Sequence, residues 1–169
     1  FFFLYVGSEI GFGGWVFTYA TRMNLTNATA ASLMTSAFWG ALTVGRLVAI
    51  PIAAKVRPRH ILLGDTLGCL LSVFILLAFP GSLTALWIGV CGLGFSMASM
   101  FPTMMTMAES RLTITGQITS LFFLGCSLGS MSLPWLIGQL IDRQGPRSMI
   151  FVVLTGVTLI LGVYALLMT

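Results

Sequence analysis

The sequence predicts an all-α membrane protein, a single bundle of six transmembrane helices over residues 1–169, and three observations lead there. Of 169 residues, 57% are hydrophobic and only 7% are charged, with a mean hydropathy of +1.03. Soluble domains carry roughly 25% charged residues, so lipid must solvate most of this exterior. Cutting at charge clusters and Pro/Gly turns leaves six apolar blocks: 1–20, 28–54, 61–79, 83–107, 114–141 and 148–168. A bilayer-spanning helix needs about 20 apolar residues, and a spanning strand only about 9–11. The blocks have helical length and lack the alternating polarity of a barrel wall.

Several function classes drop out on composition. The three cysteines, Cys69, Cys91 and Cys126, lie far apart, and His60 is the one imidazole. Together they give neither ligand spacing for a metal nor a disulfide framework. No glycine-rich phosphate loop is present, and His60 sits in a basic connection, away from any nucleophile at membrane depth. The expectation is no enzyme, no bound cofactor or metal, and no nucleic-acid partner. Two channel signatures, Asn-Pro-Ala boxes and a Thr-Val-Gly-Tyr-Gly filter, are absent. The chain opens inside a hydrophobic run, Phe1-Phe2-Phe3, without an initiator Met. A piece of something longer is expected, with no signal peptide.

Block one holds the most telling residue, Glu9, since a charge at the centre of a membrane helix costs about 2.5–3.5 kcal/mol on the insertion scale. At about 100° per residue, Tyr5, Ser8, Phe12, Trp15 and Tyr19 fall on the same arc as Glu9. Gly7, Gly11 and Gly14 fall opposite, where small residues allow another helix to approach closely. Rings with a few polar atoms suit a neutral polar ligand such as a sugar. The competing expectation is rings packed into lipid or core around a protonated Glu9. The next connection carries two sequons, Asn24-Leu25-Thr26 and Asn27-Ala28-Thr29, close to two spans.

Block two carries Arg46 eight residues before its end and is followed by the basic connection Lys55, Arg57, Arg59 and His60. Basic residues favour the cytoplasmic side. That rule puts this connection and Arg111 inside, and Arg22, Arg143 and Arg147 outside. Block three opens with Asp65 at a depth comparable to Arg46, so the two are expected to form a structural or gating pair. Gly64 and Gly68 offer close packing beside it. Block four carries Gly92, Ser96, Ser99, Thr103 and Thr106 on one stripe, which fits either an aqueous pathway or helix–helix hydrogen bonding. Pro102 interrupts its cytoplasmic part. Block five has Gly125-Cys126-Ser127-Leu128-Gly129 for packing and Pro134 for a kink. Block six is plain apolar helix.

Three groups of residues resemble a known family. Tyr5-Val6-Gly7-Ser8-Glu9-Ile10-Gly11 and Ser36-Ala37-Phe38-Trp39-Gly40 with Gly45-Arg46 are similar to the seventh and eighth helices of major facilitator superfamily transporters. Gly116, Gly125, Gly129, Pro134, Gly138, Asp142 and Gly145 resemble the eleventh helix and its turn. The branch most resembled contains fucose permease and the sodium-dependent glucose transporters. The family's loop signature G-x-x-x-[DR]-[RK]-x-G-[RK]-[RK] is degraded here, with Ile50 and Arg57 at the two glycine places and Ala54 at the acidic one.

The resemblance implies the C-terminal six-helix half of a twelve-helix secondary carrier for a small polar solute, most readily a sugar. It would work by alternating access against an N-terminal six-helix half. It further implies a plasma-membrane location and a substrate pathway of Tyr5, Ser8, Glu9, Phe12, Trp15, Tyr19, Trp39, Ser96, Ser99 and Thr103. Tyr5, Phe12, Trp15 and Trp39 would touch solute, and Glu9 would either bind a solute hydroxyl or carry the coupling ion, H+ or Na+. The rival expectation is a six-helix membrane protein that transports nothing, a regulator or scaffold.

Overall fold

A computed structural model of the chain describes residues 1–111, 113 and 115–168. Over these residues the chain forms helices α1 (Phe2–Arg22), α2 (Ala28–Ala53), α3 (Pro58–Ala78), α4 (Leu83–Met97), α5 (Met100–Glu109), α6 (Gly116–Gln144) and α7 (Ser148–Met168), and no strand. Residue 114, where the fifth sequence block starts, lies outside the described residues. The fourth block is divided: α4 and α5 are separated at Ala98 and Ser99. Pro102 explains the break, because it offers no N–H to the Ala98 carbonyl and its ring crowds that oxygen. Pro51 and Pro134 lie inside α2 and α6 without ending them.

Side-chain caps start three of the helices. Asn27, Ser82 and Thr115 accept from the backbone N–H of Ala30, Ala85 and Ile118, covering amides that have no partner in the first turn. The second sequon asparagine is therefore committed to α2. Asn24 is exposed and takes a left-handed backbone, φ 53°.

Among the described residues, five stretches are long and apolar enough to cross a membrane: α2, α3, α4 together with α5, α6 and α7. Helix α1 matches α3 in length, 21 residues each, but Ser8, Glu9, two tyrosines and four glycines dilute its apolar character. It is nevertheless the helix around which the others gather, packing on α6, α7 and α2. Helix α4 plays the same part for α2 and α3. The core lies between them: Tyr5, Phe12, Tyr19, Phe38, Leu93 and Met97 are all buried.

The glycine face of α1 is used as the sequence predicts, along α6. A methyl group added at Gly7 would overlap Leu133 and the Gly129 carbonyl, and one at Gly11 would overlap Ile137. From the other side, a methyl at Gly129 would run into the backbone of Phe3. Gly14 departs from the expectation and faces open space. The ends of α1 and α6 are joined by an exposed ion pair, Arg22 to Asp142 at 2.9 Å.

Candidate functional site

Helix α1 carries Glu9 into the interior, where the residue is only 6% exposed. Its ionic partner is Arg46 of α2, with Nη2 3.7 Å from Oε1. The pair is lopsided: the Glu9 side chain is 8% exposed and that of Arg46 is 54% exposed. A buried carboxylate therefore reaches an open face through one guanidinium. Burying a carboxylate without a partner is costly, and a partner of opposite charge offsets that cost.

This arrangement corrects the expected Arg46–Asp65 pair. Helices α2 and α3 follow one another in the chain, yet α2 packs on α4 and α1 while α3 packs on α4, α7 and α5. Asp65 is held instead by Ser99, whose hydroxyl donates to Oδ2 at 2.5 Å. Ser99 stands at the break between α4 and α5, where it can reach across to α3.

The ring-bearing arc of α1 turns into the bundle. Tyr5 donates its hydroxyl to the Met97 carbonyl at 3.1 Å, and Phe12 packs on Phe38 with ring centroids 5.3 Å apart. Tyr19 is buried as well. Trp15 donates its indole N–H to the Pro134 carbonyl at 2.9 Å, fastening α1 to α6. Ser8 is buried against Gly156 of α7, and its hydroxyl makes no hydrogen bond among the described residues. Tyr5 and Phe12 are thus buried inside this unit, while Trp15 is half-buried with its N–H engaged.

Two openings flank Arg46 and Trp39. A cleft of about 210 Å³ runs between α2, α3 and α5, bordered by Arg46, Ser99, Thr103 and Thr106. It brings one basic group beside three hydroxyls of the block-four stripe. Ser96, the other stripe member named, lies against Gly68 of α3. A wider groove of about 540 Å³ lies between α1 and α2, where Trp39 and Phe17 face Ser32, Thr35 and Ser36. Trp39 is the one ring of the four proposed solute contacts that lies open.

Ser32, Thr35 and Phe17 do not figure in the sequence expectations, and Ser36 does so only within the family-like segment. A signal was available, since Ser32, Ser36, Trp39, Thr43 and Arg46 recur at three- and four-residue intervals, and all five are exposed on one face of α2. Polar residues on an open face of a helix otherwise fit for lipid call for a partner. Among the described residues no three of His, Cys, Asp and Glu come together as metal ligands.

No family model matches the chain, and no solved structure matches it. Curated relatives do. The chain is 40% identical over 142 residues to sodium-dependent glucose transporter 1 of Xenopus laevis, covering 83% of this chain and 29% of that protein. It is 38% identical over 145 residues to major facilitator superfamily domain-containing protein 4A of Danio rerio, covering 85% and 27%. Sodium-dependent glucose transporter 1 of Homo sapiens is 32% identical over 163 residues, covering 96% and 32%. None of these names denotes an enzyme. The chain thus spans about a third of the length of these relatives. With its five apolar spanning stretches it is an integral, multi-pass membrane protein. Over most of its own length, it is a homologue of sodium-dependent glucose transporter 1 and of major facilitator superfamily domain-containing protein 4A.

Proposed function

We propose that the chain forms the C-terminal six-helix half of a secondary carrier for a small polar solute, a sugar, and works by alternating access against an N-terminal six-helix half. The observation that carries this reading is the Glu9–Arg46 pair, a buried carboxylate joined to a half-open guanidinium. An ionisable residue at membrane depth is costly and usually marks a substrate or ion pathway. Here Glu9 is the group that takes the coupling ion, Na+ or H+, and the names of the relatives favour Na+. A cation arriving at Glu9 competes with Arg46 for the same carboxylate, so ion occupancy and the position of Arg46 are linked.

Solute contact moves from the buried rings to the open face of α2. Trp39 offers a stacking surface, and Ser32, Thr35 and Ser36 offer oxygen atoms along the same groove. Tyr5, Phe12, Trp15 and Tyr19 then act as positioning residues that hold α1 in register behind Glu9. The basic connection from Lys55 to His60 faces the cytoplasm of the plasma membrane in this reading, by the positive-inside rule.

Co-expression with a matching N-terminal six-helix half tests the proposal. The pair is expected to accumulate labelled sugar, and the chain by itself to accumulate none. With Glu9→Gln, accumulation against a gradient falls at least tenfold while counterflow exchange persists, because exchange needs no net ion movement. Accumulation equal to the parent would remove Glu9 from coupling. Failure of the parent pair to move any sugar would support a membrane protein that transports nothing.

A further inference from the structure

We propose that the gap between the second half of α2 and the start of α3 binds one anionic phospholipid, with its headgroup on the Lys55–Arg59 connection and an acyl chain in the cleft below. Three observations meet there. Lys55, Arg57, Arg59 and His60 are all exposed, and no carboxylate among the described residues forms an ion pair with them. Directly beneath, a cleft of about 220 Å³ is bordered by Val48, Ile52, Val56 and Ile61, with His60 and Gly64 beside them. A methyl group built at Gly64 meets nothing within 4 Å. The small residue that would admit a neighbouring helix leaves a slot there instead.

The chemistry selects a lipid that is both negative and aliphatic. Clustered basic side chains at the end of a spanning helix attract anionic headgroups, and the flanks of the slot are aliphatic. Asp65 lies at the inner end of the cleft, its Oδ2 accepting from Ser99. Its carboxylate repels phosphate, which keeps the headgroup at the mouth and leaves the slot to the chain. A soluble phosphate would satisfy the loop but not the slot.

Native mass spectrometry of the full chain, released from nanodiscs of phosphatidylserine or phosphatidylcholine, tests this. One phosphatidylserine is expected to stay bound where phosphatidylcholine is lost. The triple variant Lys55→Gln, Arg57→Gln, Arg59→Gln should lower that retention at least tenfold. Gly64→Leu fills the slot, keeps every charge, and should lower it about fivefold with helix content by circular dichroism unchanged. Equal retention of both lipids, or no change in either variant, overturns the proposal. Full displacement of the lipid by millimolar inorganic phosphate also overturns it, since the site would then be one for a free anion.

Discussion

The seam between α1 and α6 and the gap between α2 and α3 are made from similar small residues, yet one is closed and the other open. Gly7, Gly11 and Gly129 bring two backbones together until no methyl group fits. Gly64 stands across from nothing, while Gly68, one turn further on, touches Ser96. A glycine pattern in a membrane helix permits close approach, and the neighbouring helix decides whether it happens. Helix α6 comes to α1, accepts the Trp15 indole N–H at its Pro134 carbonyl and pairs its Asp142 with Arg22. Helix α2 leaves α3 for α4 and α1, so its second half, from Leu47 onward, is largely exposed.

Four substitutions sharpen or break this contrast. Gly129→Leu should have the largest effect, because its side chain would meet the Phe3 backbone, which cannot rotate away. A loss of about 3 kcal/mol is expected from overpacking of this kind, read as aggregation on size exclusion in detergent. A monodisperse variant with the parent melting midpoint would show that the seam does not hold the bundle. Trp15→Phe keeps most of the ring and removes the 2.9 Å bond to the Pro134 carbonyl. That should lower stability by about 1 kcal/mol, the scale of one buried hydrogen bond, and lower the melting midpoint accordingly. The smallest effect, and the most discriminating, is in the open region. Gly64→Ala should stabilise by about 0.5–1 kcal/mol through helix propensity, whereas Gly68→Ala should destabilise against Ser96. Equal signs for the two would mean the gap closes in the membrane.

Much of the fold was legible because hydropathy reports length and depth. The helical stretches, the interruption near Pro102 and the packing face at Gly7 and Gly11 all follow from local pattern. Neighbour order was not legible. Arg46 and Asp65 lie at similar depth on consecutive helices, but depth carries no direction around the bundle axis, and Arg46 turned towards Glu9 instead. The rings of α1 divide between neighbours: Tyr5 and Phe12 meet α4 and α2, whereas Trp15 meets α6. Whether a ring-bearing face looks onto a passage or into a core depends on which helices cover it. Phe38, Met97 and Pro134 lie 26 or more residues further along the chain and supply that cover here. The open stripe of α2 was within reach, but no charge drew attention to it before Arg46.

The modest apolar character of α1 also bears on how the chain is made. Within this sequence α1 is made before the others, and its longest partner, α6, begins only at Gly116. A segment carrying Glu9, two tyrosines and four glycines is not among the stretches apolar enough to cross a membrane by themselves. Its stable place in the bilayer therefore depends on cover that arrives late. An insertion assay that truncates the nascent chain before and after α6 would register α1 as loosely held in the first case and fixed in the second.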